Sequence, residues 1–310
     1  MTNTDETERQ RLARIRPGLE KRANIYRIVR SFFCDRGFLE VETPVRAPTI
    51  APELHIEPFE SEGYFLSTSP ELYMKRLLSA EYEKLFQISH CFRKDEKGKQ
   101  HNPEFIMLEW YRTGGDYMQM IDDTEQLVVH IADTLHLGMH IPYQGHMIDI
   151  TPPWLRVTVK DAFMKHTGWD PVTAGDLSNF DIDLVTKIMP AFPMNRPIIL
   201  MDYPASMASL SRINSSNPQV AERAEVFIGG MELANAFSEL TDPDQQRKRF
   251  QSEIEQISKE RSRTHIMPEK FLDSLMYLQP CGGIALGIDR LIMLFNDTNI
   301  IDDVVAFPEA

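Results

Sequence analysis

Residues 91–112 read CFRKDEKGKQHNPEFIMLEWYR. A charged loop with two basic residues at its start runs directly into a segment of strand character. Period-two alternation puts Phe105, Met107, Glu109 and Tyr111 on one face and Ile106, Leu108 and Trp110 on the other. The second face is ordinary core. The first carries a carboxylate among large side chains, and buried acids are rare unless they have a partner. That face is the candidate floor of a site; an amphipathic edge strand after a solvated loop would show the same pattern.

Phe92-Arg93-x-Asp95, the loop, His101-Asn102-Pro103-Glu104-Phe105 and Leu108-Glu109-x-Tyr111 resemble motif 2 of class II aminoacyl-tRNA synthetases in the lysine-specific version. The fold this implies is α+β, a catalytic core of antiparallel β-sheet flanked by helices. Upstream, apolar positions at Ile25, Ile28, Val29, Phe32 and Phe33 predict a helix from Leu19 to Gly37. The following FLEVETPVRAP alternates into a short strand ending at Pro44. Beside motif 2 this pair resembles motif 1, whose helix, strand and proline build a dimer interface, so the resemblance implies a homodimer. Residues 1–17 read as a polar tail and 18–310 as one catalytic domain.

Tyr64 to Thr68 predicts a strand, and Ser69-Pro70-Glu71 opens a helix with Ser69 as N-cap and Pro70 at its first position. Stability alone would explain an acid in that first turn. In the lysine-specific family the glutamate of this PEL segment faces the substrate amino group, which gives Glu71 a second possible task. After motif 2, Asp116 to Leu137 predicts a helix. Residues 138–222 are the least informative, with strands expected at 146–150 and 197–204 and a strand-to-helix segment from Arg156 to His166. No repeat or Gly/Ser linker marks a boundary.

Arg223 to Leu240 predicts a hairpin around Gly229-Gly230. A two-residue turn pairs Phe227 with Glu232 and Val226 with Leu233, which sets Glu225 and Glu232 on one face. Paired carboxylates repel unless a cation lies between them, and Mg²⁺ prefers such oxygen ligands beside phosphates; a solvated face would look alike. Strict alternation, however, sends Asn235, Phe237 and Glu239 to the opposite face, whereas the resemblance gathers all five. Either a bulge lies between Glu232 and Asn235, or the turn is not two residues. Asp242 to Arg263 predicts a charged amphipathic surface helix. In Gly282 to Leu291, Gly283, Ala285 and Gly287 alternate with Ile284, Leu286 and Ile288, leaving one strand face nearly bare for close approach of a ligand. Leading into a helix with Arg290 in its first turn, this segment resembles motif 3.

The chain has 310 residues, 42% of them apolar, enough for a substantial core. No apolar run reaches the roughly 18 residues of a membrane span, and the polar start lacks a secretory signal. A cytoplasmic protein with no membrane partner is expected. Cys34, Cys91 and Cys281 show no CxxC spacing and suit reduced thiols. A net charge of −13 without a basic stripe weakens nucleic-acid binding without excluding it. It also favours a basic protein or a cationic small substrate.

The resemblance implies adenylation chemistry: a carboxylate attacks the α-phosphate of ATP, and alignment with charge neutralisation does most of the work. Arg93 would grip the α-phosphate and carboxylate as the catalytic residue. Phe105 and Arg290 would sandwich the adenine, with Asp95 near its amino group and Lys99 and His101 towards the outer phosphates. Glu225 and Glu232 would hold Mg²⁺. Ser69, Glu71, Glu109, Tyr111, Asn235, Phe237, Glu239 and Ala285 would surround the amino acid. Several carboxylates select a cation, so lysine or a close analogue is the expected substrate. Asp95 stands where motif 2 usually has glutamate, and Ala236 where glycine is common.

Lysyl-tRNA synthetases carry an N-terminal anticodon-binding barrel, and an independent domain needs at least roughly 50 residues. With the first core helix expected near Leu19 there is no room for one. The chain therefore resembles the elongation factor P (R)-β-lysine ligases, paralogues that transfer the amino acid to a lysine of a protein. These have alanine where lysyl-tRNA synthetases have glycine, at Ala285, and a difference of one methyl is worth about 1–3 kcal/mol in discrimination. The expected partners are elongation factor P and lysine or (R)-β-lysine, with tRNA disfavoured. Charging of tRNA and a catalytically silent lysine-sensing paralogue remain as alternatives.

Overall fold

The computed structural model describes residues 6–261 and 265–309. Eight strands form one sheet: β1 (Leu39–Glu40), β2 (Lys84–Phe92), β3 (Glu104–Thr113), β4 (Leu155–Thr158), β5 (Ile198–Pro204), β6 (Val220–Ile228), β7 (Met231–Ser238) and β8 (Cys281–Gly287). Their spatial order is β1-β2-β3-β8-β7-β6-β5-β4. The inner six strands are antiparallel, as expected, while β1 and β4 join the edges in parallel.

The longer helices segregate to cover the sheet, and they are α1 (Glu8–Cys34), α2 (Glu71–Leu78), α3 (Tyr117–Thr134), α4 (Val159–His166), α5 (Pro243–Arg261), α6 (Glu269–Leu275) and α7 (Ile288–Phe295), with one further single turn at Phe180–Asp183. Against one face pack α1, α3 and α7, where Phe33 stacks on Phe86 at 4.9 Å and leans on Trp110 at 5.1 Å. On the other face Leu72, Met74 and Leu78 of α2 meet Phe250 of α5 and Phe271 of α6 over Leu85 and Tyr111. They crowd one end of that face and leave its middle open.

Residues 8–17 are not a tail: they are the first turns of α1. Thr7 accepts from the Gln10 backbone while the Gln10 side chain returns to the Thr7 N–H, a capping box that starts the helix early. Ile15 is buried, and Arg14 pairs with Asp303 at 2.8 Å. These contacts hold the helix through Pro17, which removes one backbone donor. The strand expected in FLEVETPVRAP is also shorter. Only Leu39–Glu40 joins the sheet, and Arg46–Ala47 pairs instead with Tyr64–Leu66 in a small three-stranded sheet. The end expected for α5 at Arg263 lies outside the described residues.

The hairpin between β6 and β7 turns on Gly229 and Gly230, both at positive φ (59° and 75°), as a two-residue turn of the primed kind requires. Phe227 faces Glu232 as expected, but Val226 faces Ala234, because the register shifts at that point and Leu233 is extra. This bulge puts Asn235 opposite Glu225 and Phe237 opposite Arg223. Of the two possibilities left by the sequence, the bulge is the one the chain adopts.

Candidate active site

Register across the sheet builds the floor in two rungs. In the first, Gln87, Glu109, Ala285, Asn235 and Glu225 stand directly opposite one another on successive strands. In the second, two residues along, stand Leu85, Tyr111, Gly283, Phe237 and Arg223. Opposed residues in a ladder share a face. Small residues at the centre of both rungs, Ala285 and Gly283, leave a cavity of about 180 Å³ between the flanking side chains.

Charge at one end of the cavity is densely organised. Ser69 accepts the Glu71 N–H at 3.0 Å and donates to Glu109 Oε1 at 2.7 Å, while the Tyr111 hydroxyl donates to Glu109 Oε2 at 2.8 Å. Glu109 is 1% exposed, and burial, reinforced by the charge of Glu71, pushes its carboxyl up to about 7. On α2, which packs over the second rung, Lys75, also 1% exposed, forms ion pairs with both Glu71 and Glu239. Burial opposes the Lys75 charge, but these two carboxylates raise its pKa and keep it an ammonium. Burial likewise raises Glu239 above the usual carboxylate range. Three carboxyl groups thus face one ammonium, and a cationic ligand would favour their ionised forms. The amide oxygen of Asn235 is buried without a donor among the described residues, so it too is available to a donor on a ligand.

At the other end the Arg93 guanidinium lies over the Phe105 ring at 5.2 Å, near Glu96 at 3.3 Å and the Thr68 carbonyl at 3.4 Å. Arg290 donates to the Glu232 carbonyl at 2.8 Å and to His101. Burial and that guanidinium hold His101 below its ordinary pKa, as suits a ring nitrogen that accepts. Phe105 and Arg290 both line the cavity, but in this arrangement it is Arg93 that covers the ring.

Asp95 and Lys99 are exposed on the loop and off the cavity wall, where Glu96 and Gln100 stand instead. Glu232 is on the wall, whereas Glu225 lies behind it, bonded to Arg223 at 2.7 Å. Burial raises the pKa of Glu225; Arg223 opposes this and the nearby Glu232 adds to it. Their oxygens are the hard donors that Mg²⁺ takes beside phosphates. They would supply only part of a shell, since no group of three or more metal-binding side chains occurs among the described residues.

The remaining expected residues, Ser69, Glu71, Glu109, Tyr111, Asn235, Phe237, Glu239 and Ala285, all line the one cavity. Lys75, Arg223, Glu53 and Glu96 were not foreseen. For Lys75 a signal existed, since it follows Glu71 by four residues on a helix. Arg223 likewise precedes Glu225 by two on a strand. Glu53 lies in an aperiodic loop that gives no such sign.

An antiparallel sheet carrying a motif 2 loop, a bare motif 3 strand and an acidic floor defines the class II synthetase type of catalytic core. The chain belongs to that family: residues 8–310 match the model of tRNA synthetases class II (D, K and N). It is 38% identical to the lysine–tRNA ligase of Moorella thermoacetica over 93% of this chain and 64% of that protein. It is 36% identical to the elongation factor P–(R)-β-lysine ligase of Yersinia enterocolitica over 94% of each. A third relative, the lysine–tRNA ligase of Campylobacter jejuni subsp. doylei, is 37% identical over 96% of this chain and 64% of its own length. The chain thus spans less than two thirds of the lysine–tRNA ligases it matches. No helix among the described residues is long and apolar enough to cross a membrane.

Proposed function

We propose that this chain is a ligase that activates lysine or (R)-β-lysine with ATP and passes it to a lysine side chain of elongation factor P. The observation that carries the reading is the set of charged groups at the floor: half-buried Glu71 and buried Glu109 and Glu239 against the single buried Lys75. When ionised, the set is negative by two, which matches a substrate with two ammonium groups and penalises neutral side chains. Glu71 and Glu109 receive one amine, and Glu239, Tyr111 and Asn235 receive the other. Ala285 adds a methyl at the centre of the first rung, where it limits how the chain between the amines can lie.

Arg93 holds the carboxylate of the amino acid against the α-phosphate and balances the charge that grows there. Phe105 supplies a face for the adenine, and Arg290 a second one once released from His101. Glu225 and Glu232 would hold Mg²⁺, which when bound neutralises the phosphates and orients the departing pyrophosphate. The match along 94% of the Yersinia enterocolitica ligase supports a protein acceptor. Exposed Leu39 and Val45 beside the motif 1 proline support a homodimer. The setting is the cytoplasm.

The test is the intact mass of elongation factor P after incubation with the protein, Mg²⁺-ATP and (R)-β-lysine, with α-lysine and lysine tRNA in parallel. A gain of one lysyl residue on the factor is the expected result. Aminoacylated tRNA with unmodified factor would overturn the acceptor.

Binding of lysine at pH 7 is expected to release protons from Glu109 and Glu239, whose carboxyls burial raises. Burial pushes the Glu109 carboxyl up to about 7, and a bound ammonium lowers both carboxyls. Binding therefore expels protons, and affinity rises as pH climbs through 7 and weakens below it. Titration calorimetry in buffers of different ionisation enthalpy measures the release; uptake, or an affinity flat between pH 6 and 8, contradicts it.

A further inference from the structure

The proposed reaction leaves one step without a protein group, because the acceptor amine arrives as an ammonium and must lose a proton before it can attack. We propose that the Glu53 carboxylate takes that proton. This rests on the adenylation reading of the same cavity.

Glu53 is half-buried on the cavity wall that also carries Arg93, the residue placed at the reacting carboxylate. The other acids of that wall are already engaged: Glu71 and Glu239 by Lys75, Glu96 by Arg93, Glu109 by Ser69 and Tyr111, Glu232 by Arg290, Asp289 by Arg22. The side chain of Glu53 has no hydrogen-bond or ion-pair partner among the described residues. Its backbone is nevertheless fixed. The Leu54 N–H donates to Glu253 on α5 at 2.8 Å, the Lys94 N–H donates to the Glu57 carbonyl at 2.7 Å, and Arg261 pairs with Glu57 at 2.7 Å. The loop thus presents an unengaged carboxylate to the cavity from a pinned backbone.

Four charged groups face it. Burial pushes the Glu53 carboxyl up to about 7, Arg93 and Arg223 oppose the rise, and Glu71 and Glu253 add to it. A base whose pKa lies near the working pH is both available and strong enough to accept a proton.

In the step, Glu53 removes one proton from the acceptor ammonium. The freed lone pair bonds to the adenylate carbonyl carbon, and the bond from that carbon to the phosphate oxygen breaks. AMP leaves with the electron pair, the second amine proton goes to its departing phosphate, and an amide remains. Glu53 then returns its proton to solvent.

The full-length protein, in excess and loaded with lysine from Mg²⁺-ATP, is chased with methylamine, an ammonium at neutral pH, or with hydroxylamine, already neutral. Glu53→Gln is expected to lower methylamide formation about a hundredfold or more. Lysine-dependent ATP–pyrophosphate exchange and hydroxamate formation should continue, and the inflection of methylamide formation near pH 7 should vanish. Glu53→Asp should recover part of the transfer. Methylamide formation by Glu53→Gln at the wild-type rate overturns the proposal. So does a loss of exchange or a raised KM for lysine in that variant, which would put Glu53 in the activation step. Absence of exchange in the wild type would remove the adenylation reading itself, and this inference with it.

Discussion

Arg93→Ala is expected to lower lysine-dependent ATP–pyrophosphate exchange by about a thousandfold or more, the scale seen when an arginine that neutralises a phosphoryl transition state is removed. The Arg93 N–H donates to the Pro103 carbonyl at 2.8 Å, so the base of the side chain is tied to the far end of the motif 2 loop. The guanidinium lies over Phe105 and borders Glu96 and the Thr68 carbonyl, contacts long enough for a ligand to displace. A planar fork can grip carboxylate and phosphate together, whereas the point charge of lysine cannot. Arg93→Lys should therefore fall between wild type and alanine. The melting temperature should fall modestly in Arg93→Ala, which removes the donor to the carbonyl of buried Thr68. Exchange by Arg93→Ala within tenfold of wild type would show that the charge at this position is not used in activation.

Gly283→Ala is expected to raise the KM for lysine about a hundredfold and to destabilise the fold by about 1–3 kcal/mol, as overpacking does. A Cβ at this position would press into Glu239 Oε1 and the Tyr111 ring. Neither can retreat. Tyr111 is 3% exposed and fixed through its hydroxyl to Glu109, and Glu239 is held by Lys75 of α2. The second rung would have to part from the first, and the two ends of the amino-acid pocket would lose their spacing. Exchange kinetics with varied lysine and a thermal melt measure both effects; an unchanged KM would show that the rungs are not the substrate floor.

Several parts of this arrangement are legible in the sequence. Alternation in β3 is local, so the order of residues alone sets Phe105, Glu109 and Tyr111 against Leu108 and Trp110, and the packing agrees. The start of α1 also carries a local sign, the capping-box spacing of Thr7 and Gln10, but the polar composition of residues 8–17 masks it and suggests a tail. The face of Asn235 is not encoded locally, because an extra residue at Leu233 is defined only against the partner strand. The position of Glu53 is out of reach as well, since the contact that pins its loop joins Leu54 to Glu253, far away in the chain.

By itself the sequence determined the class of fold and the order of its motifs, because strand alternation, helix starts and a bare glycine strand are properties of neighbouring residues. Only the tertiary structure decided the chemistry of the floor. Whether a carboxylate is paired, protonated or free depends on burial and on charges brought close from other strands and helices. Lys75 is brought to Glu239 in this way, while among the described residues no side chain pairs with Glu53. Such electrostatic terms are set by distance in space, and separation along the chain does not encode them.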